Sequence, residues 1–397
     1  MELDPSPQAT EPLEELRRFL DERVYPAEAV YAAQRATLPR HERPAVVAEL
    51  MTEARSRGLW NLFLPDISGL THLDYAHIAE LTGRSPYLAP IALNCAAPDT
   101  GNMELLHRFG TPQQKSRWLE PLLDGRIRSG FSMTEPDVAS SDARNIATAI
   151  VRDGDEYVIN GRKWWTTGAA DPSCELLIVM GRTDPQAAAH RQQSMILVPL
   201  RTPGVEIIRS LPLFGFHDQQ GHCEITYTDV RVPAANLLGE PGDGFAIAQA
   251  RLGPGRVHHA MRCLGMAERA LDEMSRRALT RTAFGGPLAE QGVVQAQLAE
   301  SRMEIEQARL LVLKTAWLID RYGARQAATE VAAIKVVAPR VACAVLDRAI
   351  QLHGGKGISD DTLLSRMWAS ARALRIADGP DEVHIRTVAR RELARHR

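Results

Sequence analysis

The sequence has few cysteines for its length: five in 397 residues, scattered and without a Cys-x-x-Cys spacing. This distribution indicates neither a disulfide framework nor a zinc site, so we expect a reducing compartment and no bound metal. Long apolar runs are also missing, and no stretch is typical of a membrane-spanning helix. The formal net charge of −2 argues against a broad nucleic-acid-binding surface. We therefore expect neither a membrane nor a nucleic acid as a partner.

The N-terminal residues lack the features of a targeting segment. They are acidic, with Glu2, Asp4, Glu11, Glu14 and Glu15, and they contain no long apolar run. This composition indicates neither a secretory signal peptide nor an Arg-rich transit peptide. We predict a cytoplasmic protein.

The remaining composition is that of a globular protein, 45% hydrophobic and 24% charged. The pattern of apolar residues changes twice along the chain. Residues 1–127 have helical periodicity, residues 128–240 have strand and turn patterns, and residues 241–397 return to long helices. We predict a helical zone, a mostly antiparallel β zone and a helical bundle.

Two local features carry specific expectations. Asn160-Gly161 separates two strand-like runs and predicts a two-residue hairpin turn. Helical spacing predicts helices over about 289–322 and 326–353, and the second contains Pro339. Because proline removes a backbone donor, we expect a kink or an irregularity at that position.

Asp378 stands in the run Ile376 to His384, where Gly379-Pro380 interrupts the C-terminal helical pattern. Because proline disfavours helical geometry before it, we expect this acid at a break between two helices. Such an acid is usually a turn former or a helix cap. It could instead point into a pocket.

Two segments of the β zone could hold a flat polar ligand. The run Phe131 to Asp142 crowds hydroxyl and backbone N–H groups that could cradle a phosphate or a ring edge, or satisfy their own turns. Adjacent Trp164 and Trp165 face opposite sides of a strand, so one can be core while the other covers a ligand. Core packing of both is the competing interpretation.

Three segments of the C-terminal zone are also candidates. Gly253-Pro254-Gly255-Arg256 opens a helix and suits an anionic group, or only marks the helix start. Arg281 to Gly285 lies in a loop, where the arginine could reach a phosphate or remain solvated. Gln351 to Gly357 has paired glycines that permit close backbone approach or cap a helix.

Taken together, these segments resemble the acyl-CoA dehydrogenase family over nearly the whole chain, from about residue 10 to 395. The matches occur in order along the chain: 110–115, 118–123, Met133 to Pro136, Asn160 to Trp165, Arg281 to Gly285 and Gln351 to Gly357. Segments 135–142 and 377–384 resemble the branch of animal members fused to a kinase-like domain, here as a stand-alone dehydrogenase.

The resemblance implies the α+β multidomain fold of that family. It comprises an α-helical N-terminal domain (1–127), a central antiparallel β barrel-like domain (128–240) and a C-terminal four-helix bundle (241–397). It also implies FAD-dependent α,β-dehydrogenation of an acyl-CoA in fatty acid metabolism, with FAD between the β and C-terminal domains and partly across a subunit contact. Expected partners are acyl-CoA, an electron acceptor such as an electron-transfer flavoprotein, and further copies in a homodimer or homotetramer.

Site residues follow from the resemblance by position. Asp378, which aligns with the family base, would abstract the α-proton, with Asp381 and Glu382 as competing acids. The residues that would bind FAD are Phe131, Ser132, Met133, Thr134, Ser140, Ser141, Trp165, Thr166, Thr167, Arg281, Phe284, Gln351, Gly354, Gly355, Pro380 and Glu382. Those that would contact the substrate are Ser141, Gly253, Gly255, Arg256 and Gly379.

The sequence departs from the family at three positions. Gln291-Gly292 stands where a His-Gln or similar pair often contacts FAD, Pro380 stands where threonine is usual, and Asp378 stands where most members have glutamate. Because aspartate is one methylene shorter, the turn at Gly379-Pro380 must bring the backbone closer to the substrate. Two other functions remain compatible: a flavin oxidase or monooxygenase of the same fold acting on a non-CoA substrate, and a non-catalytic scaffold without FAD.

Overall fold

The computed structural model describes residues 1–396, apart from the side chains of residues 252–254. The N-terminal zone is helical, as predicted. Its helices are α1 (Pro7–Phe19), a π-helical segment (Leu20–Val24), α2 (Tyr25–Thr37), α3 (Ala45–Ser56), α4 (Pro65–Ser68), α5 (His72–Gly83), α6 (Ala89–Ala92), α7 (Asp99–Phe109), α8 (Pro112–Gln114), a second π-helical segment (Lys115–Leu119) and α9 (Glu120–Leu123). Helix α7 ends at Phe109 with Gly110 as its C-cap, and Thr111 and Gln114 then form a capping box that starts α8.

The central zone is a sheet. Its strands are β1 (Arg128–Ser132), β2 (Ala149–Asp153), β3 (Glu156–Thr167), β4 (Cys174–Arg182), β5 (Gln193–Pro199), β6 (Val205–Leu211), β7 (His222–Pro233) and β8 (Leu237–Leu238), with short 3-10 helices at Ala143–Asn145 and Ala234–Asn236. The strand order is β6-β7-β3-β2-β4-β5-β8, and β1 lies beside β4. The β1–β4 and β2–β4 pairs are parallel and the other pairings in this sheet are antiparallel, so the mostly antiparallel prediction is confirmed.

The predicted hairpin at Asn160-Gly161 is wrong, because β3 continues through both residues. The turn lies earlier, at Gly154, whose φ of 60° suits a two-residue connection between β2 and β3. At Gly161 the pairing of β3 with β7 shifts register instead. A Cβ at Gly161 would lie 2.4 Å from the Thr148 hydroxyl, so this glycine permits close packing rather than a turn. The Asn160 amide oxygen accepts the Asp229 backbone N–H at 2.8 Å across the irregularity.

The C-terminal zone is dominated by long helices. Its elements are α10 (Gly244–Thr280), β9 (Thr282–Ala283), β10 (Gly286–Pro287), a 3-10 helix (Leu288–Glu290), α11 (Gly292–Tyr322), α12 (Ala328–His353), a 3-10 helix (Gly354–Ile358), α13 (Leu364–Ala373) and α14 (Asp381–Ala394). Both long helices predicted from periodicity are confirmed as α11 and α12. Helix α12 continues through Pro339, which is buried.

The chain divides into two compact units. Unit 1 comprises Met1–Pro26, Ala54–Pro90 and Gly253–Arg397, and unit 2 comprises Ala27–Glu53 and Ile91–Leu252. Unit 1 therefore holds the long C-terminal helices together with α1 and α5, whereas unit 2 holds the sheet together with α7.

In unit 1, an ionic network joins three helices. Arg309 of α11 donates to the Glu80 carboxylate of α5 at 2.7 and 3.0 Å and also contacts Glu268 of α10. Arg302, two turns of α11 earlier on the same face, donates to Glu268 at 2.6 and 2.9 Å. Networks of this kind fix how helices align better than isolated surface pairs do. Of the three helices, α10 also carries Arg256, which contacts the Asp378 turn described below.

In unit 2, helix α7 carries a buried acid. Burial raises the pKa of Glu104 to about 8, although nearby Arg251 and Arg108 pull it in the opposite direction. Between the ordinary carboxyl pKa and about pH 8, the folded state therefore keeps a proton that the unfolded chain releases. By linkage, folding stability contributed by this group is complete at low pH and falls as pH rises through that window.

Glu104→Gln should remove this pH dependence, because the amide stays neutral at every pH. Between pH 5.5 and 7.5 the parent should lose about 1 kcal/mol more stability per pH unit than the variant. Urea unfolding of both proteins at the two pH values measures the difference. Glu120→Gln, at an exposed acid of α9, is the matched control and should behave as the parent does. Equal slopes for parent and Glu104→Gln would contradict the assignment of a neutral Glu104.

Candidate active site

Asp378 lies at a break between α13 and α14 of unit 1, as the sequence predicts. Its backbone is in the left-handed region, with φ of 54°, and Gly379 follows with φ of 99°. Non-glycine residues enter this region at an energetic cost, and aspartate is one of the few that tolerate it. Such strain is retained where surrounding contacts enforce it, which is common at functional sites.

Two side chains hold the backbone carbonyl of Asp378. Arg256 of α10 donates to this oxygen from Nη2 at 3.2 Å, and His384 of α14 lies at the same distance through Nε2. Lys335 of α12 reaches the next carbonyl, that of Gly379, at 3.4 Å. Three helices of unit 1 therefore fix the turn that presents the Asp378 carboxylate.

The electrostatic environment of this turn is positive. Burial, together with the charges of Arg256 and Lys335, lowers the pKa of His384 to about 4. At neutral pH His384 is therefore uncharged, and its Nε2–H donates to the Asp378 carbonyl. The Asp378 carboxylate lies 3.5 Å from His259 Nε2 and keeps 23% of its side-chain surface exposed. The Asp378 carboxylate is therefore accessible to a ligand.

The two competing acids have different surroundings. Asp381, at the start of α14, is buried, and its Oδ2 accepts from Arg340 at 3.0 Å and from Arg375 at 2.9 and 3.0 Å. Because Asp381 is buried and its Oδ2 is held by two guanidinium groups, its carboxylate is not presented to a ligand. Glu382 is exposed on the outer side of the helix. Among the acids of this run, Asp378 has the geometry best suited to a base.

Asp381→Asn should therefore destabilise the protein without removing the base. Replacing the carboxylate weakens two charged hydrogen-bonding partners, and we expect a loss of about 1–3 kcal/mol in urea unfolding. The rate of flavin reduction by substrate should stay within about tenfold of the parent. Glu392→Gln, an exposed acid in the same helix, is the control for stability. A collapse of flavin reduction to background in Asp381→Asn would make Asp381 the base instead.

In unit 2, a buried ion pair fixes the predicted flavin-binding loop. Lys163 of β3 is fully buried and donates to the Glu135 carboxylate and to the Met133 carbonyl, each at 2.8 Å. The same carboxylate accepts the backbone N–H groups of residues 147 and 148 at 2.7 and 2.9 Å. Burial would raise the pKa of Glu135, but Lys163 and these hydrogen bonds outweigh it and hold the pKa below its usual range.

This loop and β3 present some predicted residues outward. Trp165 has a left-handed backbone, with φ of 53°, and 38% of the residue's surface is exposed. Phe131, Met133 and Thr167 are half-buried, whereas Thr134 and Ser141 are exposed. All six could meet a flat ligand with a polar edge, since they combine apolar faces with hydroxyl groups.

Three of the residues predicted to bind FAD have side chains that hydrogen-bond within the protein. The hydroxyl groups of Ser132 and Thr166 are buried and bond each other at 3.1 Å, and Ser132 also bonds the Tyr227 hydroxyl at 2.8 Å. The Ser140 hydroxyl accepts the Glu135 backbone N–H at 2.8 Å and closes the loop. A ligand could reach Ser132 and Thr166 only through their backbones, because their side chains belong to the interior.

Arg281 and Phe284 belong to a small hairpin formed by β9 and β10 after α10. Phe284 at its tip has φ of 55° and is 99% exposed, and Gly285 beside it has φ of 91°. A bare aromatic ring on a strained turn is typical of a residue that binds a partner or a ligand. Arg281 is exposed as well. The sequence predicts an open loop here, and the structure instead shows a short hairpin.

The glycine-rich segment after α12 is open. Gln351, Gly354 and Gly355 are exposed, and a Cβ on either glycine would meet nothing within 4 Å.

Among the glycines predicted to contact the substrate, Gly255 has open space around it. Gly253, predicted to contact the substrate, lies outside the described residues. Pro380 and Gly379 flank the Asp378 turn, where a Cβ on Gly379 would lie 3.0 Å from His384 Nε2.

These groups fit the chemistry of FAD. The isoalloxazine ring needs a flat apolar wall with polar groups at its edge, which Phe131, Trp165 and Thr167 can provide. Its diphosphate needs a cation and hydroxyl donors, and exposed Arg281 and Ser141 are of that kind.

Among the described residues no His/Cys/Asp/Glu group is arranged to hold a metal ion. Within the residues that the structure describes, no helix is long and apolar enough to cross a bilayer.

Several residues around the site escaped the sequence analysis. Arg251 stacks its guanidinium 4.2 Å from the Phe131 ring centre and covers one face of that ring. Lys163, Lys335, His384 and His222 also touch predicted site residues. His384 lies six residues from Asp378, but the partners of the other three lie at least 30 residues away in sequence. A lysine in a strand or helix also gives no local signal of burial.

This combination of fold and site is that of a flavin-dependent oxidoreductase. Three family models match the chain in order: acyl-CoA dehydrogenase N-terminal domain over residues 6–126, middle domain over 130–230 and C-terminal domain over 242–393. The chain belongs to the acyl-CoA dehydrogenase family, whose members bind FAD. The predicted fold class and cofactor are thereby confirmed.

Individual relatives agree with this assignment. The chain is 65% identical to probable acyl-CoA dehydrogenase FadE2 of Mycobacterium tuberculosis, over 96% of this chain and 94% of that protein. It is 53% identical to acyl-CoA dehydrogenase family member 10 of Mus musculus over 98% of this chain, but it spans only 37% of that protein. A solved butyryl-CoA dehydrogenase of Megasphaera elsdenii is 27% identical, with a TM-score of 0.84 over 99% of this chain and 100% of that one. The predicted likeness to animal members is confirmed.

Proposed function

We propose that the protein oxidises an acyl-CoA thioester between Cα and Cβ to the trans-2-enoyl-CoA, with Asp378 as the base that removes the α-proton. The observation that supports this most strongly is the geometry of Asp378. Its backbone is held in a strained conformation by Arg256 and His384, while its carboxylate keeps an exposed surface. A base on a fixed backbone keeps its direction toward a bound substrate. FAD, when bound, supplies the acceptor for the hydride from Cβ.

The charges around Asp378 suit this role. Arg256 and Lys335 both interact electrostatically with it. Cations near a carboxylate favour its ionised form, which is the form that can accept a proton. After proton transfer the same cations favour loss of the proton again, and the base is restored for the next turnover.

The residues proposed to hold FAD occur in both units. In unit 2, Phe131, Met133, Thr134, Trp165 and Thr167 would line the ring, with Ser132, Thr166 and Ser140 supporting them, and Ser141 would meet the diphosphate. In unit 1 the proposed contacts are Arg281, Phe284, Gln351, Gly354, Gly355, Pro380 and Glu382. For the substrate we propose Ser141, Gly253, Gly255, Arg256 and Gly379.

We extend the proposal to partners. The exposed Phe284 supports contact with a second copy of the chain in a homodimer or homotetramer. Electrons would leave to an acceptor such as an electron-transfer flavoprotein, and the reaction would take place in the cytoplasm as part of fatty acid metabolism. The division into domains at residues 1–127, 128–240 and 241–397 belongs to the same proposal.

Anaerobic titration of the purified yellow protein with a panel of acyl-CoAs tests the function. Bleaching of the flavin absorbance by at least one acyl-CoA, followed by slow reoxidation in air and fast reoxidation by an electron-transfer flavoprotein, is the expected result. Fast reoxidation by oxygen alone would indicate an oxidase. No bleaching by any acyl-CoA would overturn the proposal.

A further inference from the structure

A chain of hydrogen bonds in unit 2 ends on one of the predicted flavin-binding residues. The Thr167 hydroxyl on β3 bonds His222 Nδ1 on β7 at 2.8 Å, and His222 Nε2 bonds the Asp218 carboxylate at 2.9 Å. Thr167 and His222 are directly opposite each other in the β3–β7 pairing. The Trp165 ring packs against His222 with 5.6 Å between ring centres. The register of β3 and β7 therefore brings the Thr167 and His222 side chains together.

The partners determine where the hydrogens lie. A carboxylate only accepts, so Nε2 of His222 carries the hydrogen that bonds Asp218. In the neutral ring Nδ1 is then a lone-pair acceptor, and the Thr167 hydroxyl must donate its single hydrogen to it. The Thr167 oxygen is left with lone pairs only. Toward any ligand at its free side, this threonine is an acceptor and not a donor.

This polarity distinguishes two states of a flavin. Oxidised flavin has an unprotonated N5, which can only accept a hydrogen bond, whereas N5 of the reduced ring carries a hydrogen and donates. An acceptor-only oxygen at that edge stabilises the reduced ring relative to the oxidised ring. A freely rotating threonine would serve both states and favour neither.

We propose that His222 and Asp218 are positioning residues that hold Thr167 as a hydrogen-bond acceptor and thereby favour the reduced state of bound FAD. The inference rests on the proposed function, since it places Thr167 at the flavin edge. Neither residue touches the substrate or the reacting atoms; both act through the direction of one hydroxyl hydrogen. The same pair also excludes a second role for Thr167 as a donor.

The reduction potential of bound FAD, measured without acyl-CoA by equilibration with reference dyes, tests the proposal. His222→Phe removes the acceptor, so Thr167 can rotate. We expect the equilibrium between reduced and oxidised flavin to shift about tenfold toward the oxidised form, a potential about 30 mV more negative for a two-electron couple. Asp218→Asn releases control of the ring tautomer and should shift the potential in the same direction by less.

Two variants test whether His222 orients the Thr167 hydroxyl or only stabilises the local structure. His222→Asn offers its amide oxygen to the Thr167 hydroxyl and should restore most of the parental potential. Asp153→Asn, an exposed acid of the same sheet that pairs with Arg231, is the control and should leave it unchanged. A purely structural role would weaken the affinity for oxidised FAD and leave the potential unchanged, because both states would lose binding equally.

The outcomes are decisive. A potential in His222→Phe and Asp218→Asn equal to the parent's, or more positive, would overturn the proposal even if the parent is bleached by acyl-CoA. If the parent binds FAD but no acyl-CoA bleaches it, the proposed function fails while the potential shift can still be measured. Should His222→Phe not fold, the comparison of Asp218→Asn with His222→Asn carries the test.

Discussion

Asp378→Asn is expected to fold and to bind FAD, yet to leave the flavin yellow when acyl-CoA is added without oxygen. The amide has nearly the shape of the carboxylate but cannot accept the α-proton. Asparagine also tolerates the left-handed backbone that Asp378 adopts, so the turn should persist. Loss of a positioned general base typically slows a reaction by about 10²–10⁴-fold, and the rate of bleaching in stopped-flow absorbance should fall by that factor.

Two further variants sharpen this result. Asp360→Asn, an exposed acid in the same unit, should bleach as the parent does. Asp378→Glu should bleach more slowly than the parent, because the extra methylene displaces the carboxylate from a turn shaped for aspartate. Bleaching of Asp378→Asn at the parental rate would show that another group removes the proton.

The helices were predictable because their signal is repeated over many turns. Apolar spacing over about 289–322 and 326–353 agrees with α11 and α12 within a few residues at each end, since buried positions recur every three or four residues. A single dipeptide gives a weaker signal. Asn160-Gly161 has the composition of a hairpin turn, but the glycine is required by Thr148 packed against it. Thr148 is thirteen residues away from Gly161, so the contact cannot be predicted from the dipeptide alone.

The site shows the same limit. The break at Asp378 was predictable from Gly379-Pro380, but proline restricts only its immediate predecessor, which is Gly379. The left-handed backbone of Asp378 itself depends on contacts with Arg256 and His384, which other helices supply. Likewise, Ser132 and Thr166 look like ligand donors in sequence, and the sheet turns their hydroxyl groups inward to each other. Sequence indicates residue types, whereas tertiary packing decides which of them face a ligand.

Lys163→Met is expected to destabilise unit 2 by about 3–5 kcal/mol, the usual cost of leaving one member of a buried ion pair alone. Lys163 is 0% exposed in its side chain and Glu135 is 4% exposed, so solvent cannot replace the lost cation. The variant also loses the hydrogen bond to the Met133 carbonyl, which holds the predicted flavin-binding loop. We therefore expect weaker FAD binding together with a lower urea midpoint, followed through tryptophan fluorescence.

The double variant Glu135→Gln with Lys163→Met distinguishes the effect of the ion pair on stability from its effect on the loop that is predicted to bind FAD. Removing both charges should recover most of the lost stability, because the penalty comes from the unpaired carboxylate and not from the missing pair. FAD binding should stay weak, since the Met133 carbonyl still lacks its donor. Arg231→Met, which breaks exposed pairs with Asp153 and Glu156, is the control and should cost at most about 1 kcal/mol. If Lys163→Met costs no more than Arg231→Met, the ion pair does not hold this loop.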